Sequence, residues 1–263
     1  MNLLFWRGKR IQVIELHGIL AARSGALSIA SLGPVIDRAF ARAGGLPVVL
    51  DIDSPGGSPV QSDLIATRIR RRAEKAGVPV HAVIQEMGAS GGYWVACAAD
   101  LIHANPMSVV GSIGVRGGGF GLSDLIGRIG VERRLYTAGE NKARLDPFTP
   151  ERPDDVAFVT ALMEELHGRF KDWVREQRGA RLPADDAAIF DGSWMLGERA
   201  MTLGLIDALG DLDQLTRQLG GPKVRVQVNR PRRRSLLSRL PRLMMDAALD
   251  ALEALRTRID LQL

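Results

Sequence analysis

The sequence predicts an α/β fold around a mostly parallel sheet, and three observations carry that expectation. Apolar runs of strand length alternate along the chain with longer segments whose apolar residues recur at helical spacing. The strand runs are continuous rather than alternating, as in Pro47–Ile52, which suits parallel strands buried on both faces. At 263 residues the chain is long enough for one substantial core, with little left for a second domain. Right-handed crossovers then join the parallel strands.

The elements follow in order. Ile11–Leu16 reads as a strand and Leu27–Ala43 as a helix, with Ile29, Leu32, Val35, Ile36 and Phe40 on one face. After the strand at Pro47–Ile52 comes the helix Ser62–Ala76. It turns Leu64, Ile65 and Ile69 inward and Arg68, Arg70, Arg71, Arg72 and Lys75 outward. Val78–Ile84 is the next strand and Gly91–Ala99 the next helix. Leu101–Ala104 and Val109–Gly111 read as short strands or turns, Gly114–Gly121 as a loop, Leu122–Ile129 as a helix and Glu132–Thr137 as a strand. Pro153–Glu176 is a long amphipathic helix. Met195–Leu203 is a further helix, Gly204–Asp207 a turn or strand, and Leu212–Leu219 the last helix of the body.

Chemistry concentrates at Gly88-Ala-Ser90-Gly-Gly92. An apolar run, Val78–Ile84, leads into this G-x-S-x-G pattern and another, Tyr93–Ala99, leads away, so the serine falls on a strand-to-helix turn. Flanking glycines let the backbone turn sharply and leave the hydroxyl uncrowded. The Gly91 amide lies at a helix N-terminus, where unpaired N–H groups favour negative charge. An exposed hydroxyl beside such an amide is half of an acyl-transfer site. Taken alone, the pattern fits a glycine-rich turn with an incidental serine equally well.

Fifty-two residues on, Lys142 stands in Tyr136–Phe148 as one of only five lysines in a chain with 35 Lys and Arg, the others being Lys9, Lys75, Lys171 and Lys223. Arginine cannot act as a base, whereas a desolvated lysine can. Asp53-Ser-Pro-Gly-Gly57 follows the strand at Pro47–Ile52 and can aim the amide of Gly56 or Gly57 into the cleft at its end, giving with Gly91 the two donors of an oxyanion hole. Each of these two segments by itself also fits a plain surface lysine or a chain reversal.

Other chemistries find less support. An α/β-hydrolase triad needs a later acid and histidine, and only His103 and His167 follow Ser90, neither in a convincing loop. No paired His or Cys has metal-ligand spacing, and the Gly117–Gly121 run lacks the Lys-Ser/Thr of a phosphate cradle, so neither metal nor cofactor is expected. The single cysteine, Cys97, rules out an intrachain disulfide and reads as a buried structural thiol.

Together the segments resemble the SppA/SohB family of serine peptidases, the signal peptide peptidase A or protease IV group, from about Ile11 to Leu215. The resemblance also covers Val110-Gly-Ser-Ile-Gly-Val115, Thr137–Lys142, Asp191–Gly197 and Gly204–Gly210. It implies a Clp-protease/crotonase-like fold and a Ser–Lys dyad. Ser90 matches the nucleophile, Lys142 the general base, Ser112 a serine that holds the lysine, and Gly91 with Gly56–Gly57 the oxyanion hole. It further implies cleavage of unfolded, apolar peptides such as remnant signal peptides, and a ring-shaped homo-oligomer, eight subunits in the short members, whose neighbours share sites. A crotonase-fold acyl-CoA enzyme or a non-catalytic scaffold of the same fold is the alternative. As a base Lys142 must shed a proton that a free lysine holds to about pH 10.4, so Glu140 and Asp146, two and four residues away, must both point away from it.

Charge divides the chain. Residues 1–221 are near neutral, whereas residues 222–263 carry ten Lys and Arg against four Asp and Glu, with no acid between Asp213 and Asp246. The expected organisation is a peptidase domain over 1–221 and a basic tail over 222–263. Beyond its arginines the tail sets Met244, Ala248, Leu252, Leu255 and Ile259 on one helical stripe. A basic segment beside an amphipathic helix suits a peripheral contact with anionic membrane, while an assembly contact or a plain arm fits the same residues. Nucleic-acid binding is disfavoured, since no aromatic residue stands among these arginines to stack on bases. The start holds only four consecutive apolar residues, Leu3–Trp6, too few for a signal peptide or spanning helix, and a cytoplasmic location is expected.

Overall fold

The computed structural model describes residues 9–183, 185 and 187–231. In chain order these form β1 (Arg10–His17), α1 (Ile29–Ala41), β2 (Val48–Ser54), α2 (Pro59–Ala76), β3 (Val80–Ala89), α3 (Gly91–Ala96), β4 (Leu101–Ala104), β5 (Val109–Gly111) and α4 (Ser123–Arg128). Then come α5 (Pro153–Arg178), β6 (Trp194–Leu196), α6 (Gly197–Thr202), β7 (Ala208–Leu209), α7 (Leu212–Gly220) and β8 (Arg225–Asn229). The apolar stripe expected after residue 242 and the run Leu3–Trp6 lie outside the described residues.

Local chemistry sets the helix ends. Ser28 and Ser31 form a reciprocal capping box at the start of α1. Ser58 accepts from the Gln61 amide, Pro59 opens α2, and Gly77 closes it in the left-handed conformation. Asp211 caps α7 through the Gln214 amide at 2.8 Å.

One sheet runs β6-β5-β3-β2-β1-β8, with β4 and then β7 branching from β3. Every pairing is parallel except β5 with β6. The ten-residue β3 forks the sheet: His81–Ile84 pair with β4, and Met87–Ala89 pair with β5. Past the fork, the chain turns from β3 directly into α3 at Ser90.

Both sheet faces are covered, which explains the continuous apolar runs. Ile14, Leu50, Ile52, Ala82 and Ile84 meet α1, α2, α3 and the Phe170–Val174 stretch of α5 in the main core. Ile11, Val13, Val49 and Val83 point to the other face, beneath Leu215 of α7. An ion pair is buried beside the main core. Arg178, 1% exposed, meets Asp207 at 2.8 and 3.0 Å and the Gly204 carbonyl at 2.9 Å, while Asp207 also accepts the Ile102 amide. Burial alone would raise the Asp207 carboxyl, but the Arg178 and Ile102 hydrogen bonds and the charges of Arg178 and Arg181 hold it below its ordinary value.

Four local readings need correction. Glu132–Thr137 is no strand; its residues are exposed and lie beside no partner strand in the protomer. Trp194–Leu196 is a short strand, so the helix there begins at Gly197. The strand near Gly204–Asp207 comes later, at Ala208–Leu209. Arg225–Asn229, within the basic stretch, pairs along β1, and the Asn229 amide donates to Gln12 and to the Val13 carbonyl. Among the described residues no helix is long and apolar enough to cross a membrane.

Candidate active site

Ser90 leaves the end of β3 with φ 51° and ψ −123°, a region that residues with a side chain rarely enter. Its amide donates to the Gly111 carbonyl at the end of β5, and its carbonyl accepts the Trp94 amide of α3. The strained turn is thus fixed from the neighbouring strand and from the helix it starts. Ser112, one residue past β5, also has a positive φ of 53°, with its amide on the Ser193 carbonyl. Because Ala89 pairs with Gly111, the two serines leave adjacent strands side by side.

A second turn lies against the first. A Cβ on Gly56 would sit 2.5 Å from the Gly91 nitrogen and 2.8 Å from the Ser90 Cβ, so only glycine lets the turns meet. A Cβ on Gly91 would lie 3.3 Å from the Gly57 nitrogen and collide with the Ser62 hydroxyl. The Gly56 amide is already taken by the Ser54 hydroxyl at 3.2 Å, which itself donates to the Gly18 carbonyl. Among the described residues the Gly57 and Gly91 amides donate to no protein acceptor. Two free amides on facing turns, beside the half-buried Ser90, are the elements that stabilise an oxyanion formed at its hydroxyl.

Lys142 lies on an exposed turn between Gly139 and Leu145. Its amide donates to the Gly139 carbonyl, and no hydrogen bond joins its side chain to Ser90 or Ser112. The structure therefore brings Ser90, Ser112, Gly56, Gly57 and Gly91 together, and no hydrogen bond joins Lys142 to them within one chain. Both nearby acids differ in their engagement. Asp146 accepts from Arg133 Nε at 2.9 Å and from the Phe148 amide, whereas Glu140 is exposed.

Sequence reasoning missed the supporting residues. Ser54 precedes Pro55-Gly-Gly57 at a fixed offset that announces a hydrogen-bonded turn, but Leu20 and Ser62, which close on the two turns, carry no local signal. Cys97 behaves as expected: it is buried, and burial pushes its thiol up to about 12.

With this geometry in view, comparison with known proteins gives four findings. A family model described as Peptidase family S49 matches residues 72–225. The chain is 43% identical over 241 residues to a protein of Brucella abortus called "Na(+)/H(+) antiporter NhaA", covering 90% of this chain and 33% of that protein. It is 28% identical over 211 residues to the "Probable protease SohB" of Haemophilus influenzae, covering 80% of this chain and 59% of the relative. The chain thus spans only a part of each of these relatives. Its fold resembles that of a serine-to-alanine mutant of the 1510-N membrane-bound stomatin-specific protease, with a TM-score of 0.52 and 15% identity, over 86% of this chain and 99% of the other. The architecture is the α/β, Clp-protease type of fold that the motifs led one to expect.

Proposed function

The chain belongs to peptidase family S49, and from that premise we propose that it is a serine endopeptidase with Ser90 as nucleophile and Lys142 as general base. The observation that carries this reading is the strained Ser90 turn facing the unpaired Gly57 and Gly91 amides. Lys142 Nζ takes the Ser90 Oγ proton as Oγ bonds to the scissile carbonyl carbon. The tetrahedral oxyanion is held by the Gly57 and Gly91 amides, while Gly56 lets the two turns close. The carbon–nitrogen bond then breaks, and the lysine ammonium gives its proton to the leaving amine. Water hydrolyses the acyl-enzyme by the same proton path in reverse. Ser112, beside the nucleophile, orients the lysine.

The lysine comes from a neighbouring subunit in a ring-shaped homo-oligomer, of eight copies by analogy with the short family members. That no hydrogen bond joins Lys142 to Ser90 within one chain supports this, as do exposed apolar residues on the neighbouring segments, Phe120, Leu125, Ile129, Tyr136, Phe158 and Leu162 among them. The substrates are unfolded, apolar peptides, including remnant signal peptides, since a site fed by an extended chain spares folded proteins. Ser90→Ala and Lys142→Ala each abolish peptide hydrolysis without unfolding the protein, and Lys142→Arg fails as well because arginine keeps its proton. Mixing the two alanine variants under subunit exchange restores part of the activity. An active Lys142→Arg enzyme, or a fully active monomer in sedimentation, would sink the respective assignments.

A further inference from the structure

The loop that carries Lys142 runs from Val131 to Pro150 without a regular helix or strand. Two similar clamps hold it. In the first, the Asp146 side chain, only 4% exposed, accepts Arg133 Nε at 2.9 Å and the Phe148 amide at 3.1 Å, and the Arg133 guanidinium lies 4.8 Å from the Phe148 ring centre. In the second, the Asp155 side chain in the first turn of α5, 6% exposed, lies 3.5 Å from Arg144 Nε and accepts the Leu145 amide at 3.3 Å. The Arg144 guanidinium lies 4.4 Å from the Phe158 ring centre. Each clamp is a nearly buried aspartate, an arginine and a phenylalanine. Leu145, between them, is held at φ 58°. The other charged groups on the loop and at the start of α5, the paired Glu132 and Arg134 and then Glu140, Glu151, Arg152 and Asp154, are exposed to water.

A general base must be free of its proton, and a carboxylate within about 4–6 Å of a lysine raises its proton affinity by roughly 1–3 pH units. Asp146 lies four residues from Lys142, and Asp155 accepts the amide of Leu145, three residues from it, so each is a hazard to its chemistry unless it has another cation. We propose that Arg133 and Arg144 are positioning residues for Lys142, each occupying one aspartate so that neither carboxylate is left to pair with the lysine ammonium. The inference deepens the dyad and rests on Lys142 being the base.

The test follows the rate at which a fluorophosphonate probe labels Ser90 in the full-length protein as a function of pH, which needs no knowledge of the natural substrate. Arg133→Gln and Arg144→Gln each move the midpoint of the labelling profile up by about one pH unit. Adding Asp146→Asn to the first and Asp155→Asn to the second returns the midpoint to that of the wild type, because no free carboxylate remains. A loop that has merely loosened would instead label more slowly at every pH, and neutralising the aspartate would not restore it. Midpoints that stay put in both single variants, or that the second substitution fails to bring back, overturn the inference. Lys142→Ala serves as the control. If it labels like the wild type, the base assignment falls and takes the inference with it; if it is silent while the arginine variants match the wild type, only the inference falls.

Discussion

Ser90, Ser112 and Leu145 are the three non-glycine residues with positive φ among those described, and all three belong to the proposed machinery or to the loop that presents its base. Strain of this kind costs of order 1–3 kcal/mol per residue and persists only where surrounding contacts over-determine it. The sequence announced the first through its flanking glycines, whereas Ser112 was picked out only by the family resemblance. Leu145 had no such neighbour, and its amide is held by Asp155, ten residues away. Pairs of this sort stay hidden from a sequence reading, and another is His81 with His103. They sit on adjacent strands with Nδ1 and Nε2 3.2 Å apart, so one ring must offer a lone pair to the other's proton. Burial lowers both histidines from their ordinary 6.5. His81 further lowers His103, while Asp207 acts against the shift at both rings and Asp100 does so at His81. The unfolded chain therefore binds more protons than the folded one around this value. The stability contributed by the neutral pair is complete above pH 6.5 and is lost as the pH falls through the folded values. Urea unfolding at pH 8 and at pH 5.5 should show lower stability at the acid pH. His103→Gln, which keeps a hydrogen-bonding group but does not titrate, should shrink that difference; an unchanged difference would place its origin elsewhere.

At the level of elements, the strands buried on both faces were legible because two cores leave no polar alternation to confuse the reading. The helices were legible through their single apolar stripes. What was missed has physical causes. Trp194–Leu196 is three residues long and pairs antiparallel to β5, too short for any period to register. The Arg225–Asn229 strand alternates polar and apolar residues as an edge strand does, but it is embedded in a basic stretch whose charge dominates. The run Glu132–Thr137 has strand-like residues and no neighbour to pair with. Arg178, two residues past the expected end of the long helix, is buried on Asp207 and ties α5 to the Gly204–Asp207 turn and to β4. The same region receives the Tyr93 hydroxyl, which donates to the Leu205 carbonyl at 2.7 Å, so the helix behind Ser90 is anchored here too. Removing one partner of a buried ion pair leaves a charge without compensation and costs about 3–5 kcal/mol. Asp207→Ala is therefore expected to lower the unfolding free energy by roughly that amount. The double change Arg178→Met with Asp207→Leu should cost clearly less, because no charge is left buried. Equal losses in denaturant titrations of the two proteins would mean that the site acts through packing alone.

On the scale of the whole molecule, the remaining question is what the basic end of the chain does beside a peptidase body. From Arg232 onward it holds seven arginines and four acids, and five of the arginines fall before the first acid, Asp246. Each basic residue close to an anionic lipid surface contributes about 1 kcal/mol, and salt screens the attraction within a Debye length of about 8 Å at physiological ionic strength. An apolar stripe beside those charges would add a burial term that salt does not weaken. We propose that this segment makes a peripheral contact with anionic membrane, which would keep the peptidase near membrane-derived peptides. The fold decides how the idea must be tested. A protein cut at Gly221, where the charge changes, would lose the strand Arg225–Asn229 and uncover the edge of β1, together with the Asn229 contacts to Gln12 and Val13. Exposed edges associate on their own account, so liposome binding by such a protein would be uninterpretable. A cut after Pro231 leaves the sheet whole. Full-length protein should co-float with liposomes containing phosphatidylserine, release partly as salt is raised, and ignore liposomes of neutral lipid; the version ending at Pro231 should stay with the soluble fraction in every case. Equal flotation of the two proteins, or binding indifferent to both lipid charge and salt, would remove the membrane role and leave the segment as an assembly element, which sedimentation of the shortened protein would then reveal as a smaller oligomer.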